Sequence, residues 1–196
     1  MKIKFRDIIK KNLSLSFLKN QNIVSIIKRY YNENLNDISG EWDVYSQPEL
    51  FKDIIKECYQ IVKDSWDEYD YLISLGNNAA PLSYSLGLFY NKRVVFLDDE
   101  WGVTCFFQKI KPSNIVFSNK KVLLIVPYFE SGLKVSRGID ILEDKGKNIH
   151  VDILTVVFFP EYVDKTIILN SKYEDTILHY LYMWDERVGR ALDLFP

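Results

Sequence analysis

Apolar residues recur at intervals of three and four along two early stretches of the chain, which is the spacing of an amphipathic helix. The pattern predicts helical structure over 5–31. It predicts a second helix that begins near Pro48, where Ser46 and Glu49 form a capping box and the proline has no helical N–H to lose. Cys58 falls on the apolar face of this second helix, so we expect it to be a core residue rather than a nucleophile.

Short apolar runs alternate with helical patterns in the middle of the chain. Helices are predicted over 81–90 and 133–145, and the second of them is expected to end at Gly146 in the left-handed conformation of a C′ residue. The apolar run at 102–107 is predicted to lie antiparallel to the other strands. Strands that alternate with helices indicate an α/β fold with a parallel sheet. The predicted strands are at 71–75, 93–97, 102–107, 121–126 and 150–159.

The C-terminal part carries a further helical pattern, over 171–188, which begins with a capping box. We therefore predict an N-terminal helical region over 1–37, an α/β domain over 38–160, and a helical C-terminal extension of the same domain over 161–196. Packing on the sheet is the simpler interpretation of the last helix, and a surface for a partner is the alternative.

Composition narrows the class of protein. The chain has 196 residues, 47% of them hydrophobic, which suffices for one domain with a sizeable core. No apolar run reaches the ~18 residues of a membrane span, and the first residues do not form a signal peptide, so we expect a cytoplasmic protein that does not enter a membrane. The two cysteines, Cys58 and Cys105, form no Cys-x-x-Cys motif, which disfavours a disulfide framework and a zinc site.

Charge is unevenly distributed along the chain. Residues 1–34 contain eight Lys or Arg against only Asp7 and Glu33, whereas the whole chain has a net charge of −2. The basic N-terminal helices could therefore bind a nucleic acid or an acidic protein partner. A solvated helix face is the alternative interpretation, because few of these charges are adjacent.

Two loops are candidate phosphate sites. One follows the predicted strand at 71–75 and the other follows the strand at 121–126, and ligands of open parallel sheets bind at the carboxyl ends of strands. Small residues in such loops let backbone N–H groups approach an anion, and the helix that follows presents its positive end. The candidate phosphate-binding residues are Gly76, Asn77, Asn78, Ala79, Ser131, Gly132, Leu133 and Lys134.

Segments 70–82 (DYLISLGNNAAPL) and 121–134 (KVLLIVPYFESGLK) resemble the strand-and-loop segments of the type I phosphoribosyltransferases. The part from residue 39 to the helix at Pro48 is similar to the orotate phosphoribosyltransferase branch of that family. The resemblance covers roughly 38–160 in order and spacing. It implies a phosphoribosyltransferase-like parallel sheet flanked by helices, a nucleotide or phosphoribosyl ligand, Mg²⁺ as a cofactor, and a homodimer.

The chain departs from the family pattern where the resemblance implies contacts to the sugar. The acidic pair of the family signature falls on Val126 and Pro127, and the residue that ends the loop falls on Lys134. The Arg-Lys pair of the orotate branch falls on Phe96 and Leu97. Since a proline side chain cannot hydrogen-bond the ribose hydroxyls, the resemblance implies a divergent member in which ordinary phosphoribosyl transfer is not favoured.

A few further residues are candidates for chemistry. Glu130 and Lys134 could act as rearranged catalytic groups within the second loop. Asp98 and Asp99 could bind Mg²⁺ through their carboxylate oxygens, and a solvated acidic turn at the end of a strand is the alternative interpretation. Trp101, next to this acidic segment, could stack on a base.

The two histidines do not indicate a catalytic site. His150 and His179 have no cysteine or acidic partner at catalytic or ligand spacing, so both are predicted to be core or surface residues. The sequence also contains no nucleophile elbow, Walker loop or dinucleotide-binding fingerprint.

Three functional hypotheses follow. The leading one is a divergent phosphoribosyltransferase-like protein that binds a phosphate-bearing ligand and acts as a regulatory or effector subunit of a larger assembly. The second is an active phosphoribosyltransferase or nucleosidase-like enzyme with rearranged catalytic residues. The third is a non-catalytic module that binds protein or nucleic acid, and the fold alone does not choose among them.

Overall fold

A computed structural model describes residues 2–4, 48–100, 106–111, 115–164 and 175–183. In these ranges three α-helices accompany one sheet, and no helix is long and apolar enough to cross a membrane. The helices are α1 (Pro48–Val62), α2 (Ala80–Phe89) and α3 (Leu133–Lys145). The strands are β1 (Lys2–Lys4), β2 (Tyr71–Leu75), β3 (Val94–Glu100), β4 (Phe106–Lys111), β5 (Lys121–Ile125), β6 (Tyr128–Phe129), β7 (His150–Phe158) and β8 (Ile177–Met183).

The strands form one sheet in the order β1-β8-β7-β5-β2-β3-β4, with β6 paired to β7. The five inner strands are parallel, and β1 and β4 add to the two edges in antiparallel orientation. This confirms the predicted α/β fold with a parallel sheet. The antiparallel strand predicted at 102–107 is present as β4, a few residues further along the chain.

Helices cover both faces of the sheet. Val122 and Leu124 of β5 pack with α3 on one face, and Leu123 and Ile125 pack with α1 and α2 on the other. A strand that is covered on both faces needs apolar residues, which is why all four residues after Lys121 in β5 are apolar and buried. Cys58 of α1 is fully buried in the second core, as predicted, and burial raises the pKa of its thiol to about 12.

The prediction of a helix over 171–188 is wrong for its middle part, because residues 177–183 form β8. β8 lies between β7 and β1, with Leu178 and His179 buried on opposite faces. A strand buried on both faces is almost continuously apolar, and such a run also satisfies helical spacing. Pairing within the sheet therefore decided this element. The rest of the predicted extension lies outside the described residues.

Two further boundaries differ from the predictions. The N-terminal region predicted as helical begins with the strand β1, and its helical pattern over 5–31 lies outside the described residues. Asp98 and Asp99 belong to β3, which continues beyond residue 97, so the interpretation as an acidic turn is wrong. Antiparallel pairing with β4 extends β3 through these acidic residues.

Gly146 ends α3, but not in the predicted left-handed conformation. Its φ of −162° and ψ of 162° are extended backbone that any residue adopts. Its lack of a side chain is required instead, because a Cβ here would lie 2.7 Å from the Ser118 nitrogen and 2.8 Å from the Phe117 carbonyl carbon. The positive φ of this turn occurs two residues later, at Asn148. The glycine is therefore explained by close packing of two backbone segments.

Candidate functional site

The two candidate phosphate loops both lie at the carboxyl edge of the sheet. Loop 76–80 follows β2, and loop 130–134 follows β6, which continues the path of β5 along β7. The N-terminal part of α3 returns over the end of β2, because Gly138 packs so closely on Leu75 that an added Cβ would be 2.8 Å from a Leu75 methyl carbon. Lys134 lies one turn earlier in α3, which is about 6 Å along the helix from Gly138.

Loop 76–80 is a fixed turn. Gly76 has a φ of 80°, which favours glycine, and its N–H donates to the Leu97 carbonyl of β3 at 2.9 Å. The Ala79 N–H donates back to the Gly76 carbonyl at 3.2 Å. These two N–H groups are therefore engaged within the fold. Asn77 is exposed and Asn78 is partly exposed, so their amides form much of the surface of this loop.

Loop 130–134 leads directly into α3. Gly132 has a φ of 79° in the left-handed region, which lets the chain turn sharply into the helix. The Ser131 hydroxyl accepts from the Leu133 N–H at 3.3 Å, a contact that does not use the hydroxyl proton. Glu130, Ser131 and Leu133 are exposed, and Lys134 is partly exposed. The loop thus offers a hydroxyl and an ammonium group beside the positive end of a helix.

Val126 and Pro127, the positions to which the resemblance assigns the acidic pair, are closed into the fold. Val126 is 4% exposed and belongs to the core beneath α3. The Pro127 carbonyl accepts from the backbone N–H groups of Val156 and Val157 at 3.0 and 2.9 Å, and from the Thr155 hydroxyl at 3.0 Å. These two residues form an irregular junction between β5 and β6, and they present no polar side chain at the edge.

The segment that follows β7 also lies beside loop 130–134, a placement that sequence analysis missed. The Asp164 N–H donates to the Ser131 carbonyl at 3.0 Å, so this segment is tied to loop 130–134. Tyr162 is 53% exposed, and its ring stands edge-on to Phe159 with centroids 6.1 Å apart. The available signal was its position: Tyr162 comes shortly after the carboxyl end of a strand, where ligands of parallel sheets bind.

Asp98, Asp99 and Trp101 are the remaining predicted site residues. Asp98 and Asp99 lie in β3, and no group of three His, Cys, Asp or Glu that could hold a metal ion occurs in the described part of the chain. Trp101 lies outside the described residues. The predicted roles of Glu130 and Lys134 in catalysis, of Asp98 and Asp99 in Mg²⁺ binding, and of Trp101 in base stacking stay predictions.

A buried polar cluster occupies the opposite, amino edge of the sheet. Asp152 of β7 is 1% exposed, and its Oδ2 accepts from the Tyr69 hydroxyl at 2.9 Å and lies 3.5 Å from the Lys121 ammonium. Its Oδ1 accepts from the Ile177 N–H at 3.1 Å and lies 3.5 Å from His150 Nε2. The starts of four strands thus bring together groups that are far apart in the sequence.

Both histidines belong to this cluster, although neither has an acidic partner at catalytic spacing in the sequence. The His150 side chain is 45% exposed, and its hydrogen bond with Asp152 raises its pKa. His179 is buried, with Nε2 3.4 Å from the Tyr69 hydroxyl, and burial lowers its pKa to about 4. Burial raises the pKa of Asp152, but the hydrogen bonds from its neighbours outweigh that effect and lower it. The cluster is a structural network away from the candidate site.

Comparison with solved structures identifies the class of fold: the chain has the fold of the type I phosphoribosyltransferases. It is similar to orotate phosphoribosyltransferase from Aeropyrum pernix, with a TM-score of 0.60 and 12% identity over 82% of this chain and 84% of that chain. It is also similar to UMP synthase from Leishmania donovani, with a TM-score of 0.62 and 12% identity. That match covers 91% of this chain but 40% of the longer enzyme.

A third similar structure is adenine phosphoribosyltransferase from Trypanosoma brucei in complex with AMP, pyrophosphate and ribose-5-phosphate. It has a TM-score of 0.57 and 11% identity, over 71% of this chain and 67% of that chain. No family model and no curated protein sequence matches the chain. At this level of identity the similarity defines the fold, and the residues of the site must decide the function.

Proposed function

We propose that this protein binds a phosphate-bearing ligand, either a nucleotide or a phosphoribosyl compound, between loops 76–80 and 130–134. Through this binding it acts as a regulatory or effector subunit of a larger assembly, rather than as an ordinary phosphoribosyltransferase. The observation that carries the proposal is the junction at Val126 and Pro127. The positions implied for the acidic pair are closed into the core, whereas Asn77 of the first loop and Ser131 of the second are exposed.

The chemistry of the second loop suits a phosphate group. The positive end of α3, the Ser131 hydroxyl and the Lys134 ammonium all lie within one turn of chain. Asn77 and Asn78 add amide donors from the first loop. Mg²⁺ bound at this edge would neutralise pyrophosphate charge, and Asp98 and Asp99 are the candidates to hold it. The ligands of the Trypanosoma brucei enzyme, AMP, pyrophosphate and ribose-5-phosphate, are the appropriate probes.

Calorimetric titration tests this proposal directly. Phosphoribosyl pyrophosphate with Mg²⁺ and AMP are titrated separately into the full chain. We expect Lys134→Ala to weaken binding by about 10- to 100-fold, because it removes a charged hydrogen bond to phosphate. Lys145→Ala is the matched control, since this exposed lysine lies in the last turn of the same helix, away from the site. No binding of either ligand at millimolar concentration would refute the proposal.

An active enzyme with rearranged groups is the second candidate, and the position of Glu130 favours it. Glu130 is an exposed carboxylate at the same edge as Lys134, so it could supply an acid that the Val126–Pro127 junction lacks. Release of pyrophosphate or of a nucleobase is the activity to measure. Glu130→Gln should abolish turnover, while Glu143→Gln, an exposed glutamate further along α3, should leave it unchanged. Equal turnover in both variants would remove Glu130 from the mechanism.

A further inference from the structure

The end of β5 lies between the strands that lead into the two candidate loops. Loop 76–80 follows β2, and loop 130–134 follows β6, which pairs with β7. In the sheet, β5 lies between β2 and β7 and is parallel to both. A ligand that contacts both loops therefore has to pass over the end of β5, where Val126 and Pro127 follow the strand.

Val126 and Pro127, which we name the β5 floor, offer little to a hydroxyl group of a ligand. Both residues are buried, and neither side chain has a polar atom. The Val126 N–H donates to the Leu154 carbonyl at 3.0 Å. Pro127 has no N–H, and the two lone pairs of its carbonyl already accept from the Val156 and Val157 N–H groups at 3.0 and 2.9 Å. A hydroxyl above the β5 floor thus meets apolar side chains and a carbonyl that is already engaged.

The polar side chains of the two loops belong to the segments on either side of the β5 floor. Loop 130–134 contributes the Ser131 hydroxyl and the Lys134 ammonium, and loop 76–80 contributes the amides of Asn77 and Asn78. In a nucleotide the sugar is joined directly to the phosphate. A nucleotide whose phosphate is held at loop 130–134, and whose other end reaches loop 76–80, therefore places its sugar over the β5 floor.

We infer that the site recognises the phosphate of its ligand and does not recognise the hydroxyls of the sugar. This rests on the function proposed above and specifies the class of ligand: nucleotides that lack the 2′ or the 2′ and 3′ hydroxyls bind at least as tightly as ribonucleotides. A hydroxyl that finds no hydrogen-bond partner in the site contributes nothing to binding. It weakens binding if it gives up water on the way.

Glu130 is an exposed carboxylate beside the β5 floor, so its role has to be tested separately. A carboxylate can accept hydrogen bonds from both hydroxyls of a ribose. Glu130 also directly precedes Ser131, so a phosphate bound at this loop lies near a like charge. If the site recognises the phosphate alone, Glu130 opposes the binding of every phosphate ligand. Removal of its charge should then strengthen the binding of nucleotides with and without sugar hydroxyls to the same extent.

Calorimetric titration of the full chain with AMP, 2′-deoxy-AMP and 2′,3′-dideoxy-AMP tests this inference. We expect dissociation constants that agree within about threefold, or smaller ones for the two deoxy compounds. Lys134→Ala should weaken the binding of all three by the same factor, because it removes a contact to the phosphate that they share. Glu130→Gln should strengthen the binding of all three by about two- to tenfold. Lys145→Ala, at the far end of α3, is the control and should leave all three dissociation constants unchanged.

The preference among the three nucleotides gives the contrary results. Binding of AMP that is tighter than that of 2′,3′-dideoxy-AMP by more than about threefold would overturn the inference, while the proposed phosphate site would stand. If that preference disappears in Glu130→Gln, Glu130 holds the sugar hydroxyls. If none of the three nucleotides binds at millimolar concentration, the inference is also overturned. The titration with phosphoribosyl pyrophosphate then decides whether the proposed function fails as well.

Discussion

His179 should make the stability of this protein depend on pH in the acid range. Its imidazole is 2% exposed in β8, and burial lowers its pKa from 6.5 to about 4. In the unfolded chain it titrates near its ordinary value of about 6.5. Between these two values the unfolded state binds a proton that the folded state does not. The free energy of unfolding therefore decreases as the pH falls through this window.

The size of the effect follows from the two pKa values. Linkage gives a loss of about 2 kcal/mol at pH 5 and about 3 kcal/mol at pH 4, with almost none at pH 7. His150 acts in the opposite direction, because its raised pKa gives stability that is present at low pH and lost as the pH rises through the folded value. Asp152, with a lowered pKa, gives stability that is lost only in stronger acid, as the pH falls below about 3.8.

Comparison with a variant isolates the contribution of His179. His179→Gln keeps an N–H donor near the Tyr69 hydroxyl but does not titrate. Urea unfolding followed by circular dichroism at pH 7, 6 and 5 gives the free energy of unfolding of each protein. The wild type should lose about 2 kcal/mol more than the variant between pH 7 and pH 5. If the free energy of unfolding decreases equally with pH in the wild type and in His179→Gln, this reasoning is refuted. His150→Gln, in contrast, should lose at least as much free energy of unfolding as the wild type between pH 7 and pH 5.

Three further experiments test the buried polar cluster, the close packing at two glycines and the burial of Cys58. Asp152→Ala should destabilise the fold by about 3–5 kcal/mol in urea unfolding, because it leaves buried donors without an acceptor, whereas the exposed Asp140→Ala should cost less than about 0.5 kcal/mol. Gly146→Ala should cost about 1–3 kcal/mol by the same assay, because the new Cβ meets backbone atoms. Gly138→Ala should cost less, since its neighbour is the flexible end of Leu75. Iodoacetamide at pH 8 should leave Cys58 unmodified in the native protein, by mass-spectrometric mapping, because its thiol is buried and protonated.

Each of these expectations has a clear contrary result. Equal losses for Asp152→Ala and Asp140→Ala would mean that the polar cluster contributes no net stability. Equal losses for the two glycine variants would mean that the backbone near Phe117 adjusts as readily as a side chain. Modification of Cys58 at the rate of a free thiol would show that α1 opens in the native state.

The described helices and every inner strand except β8 were predicted from local patterns. The start of α1 at Pro48, the apolar run of β5 and the extent of α3 all agree with the sequence. These signals are local, because helix caps, helical periodicity and double-sided burial each act within a few residues. The rule that ligands bind at the carboxyl ends of parallel strands indicates both candidate loops from the sequence alone.

Only the tertiary structure decided the elements whose cause is distant in sequence. Residues 177–183 have a pattern that satisfies both helix and strand, and β7 and β1 on either side made them a strand. Gly146 is explained by the backbone at Phe117, and Asp152 binds groups from four separate segments. The sequence showed that Val126 and Pro127 depart from the family pattern, but only the structure showed that the junction to β6 closes them into the core. The local sequence pattern determines the backbone preference of a segment and which of its residues are buried. Strand pairing and close packing of backbone segments depend on neighbours that are distant in sequence and that only the folded chain brings together.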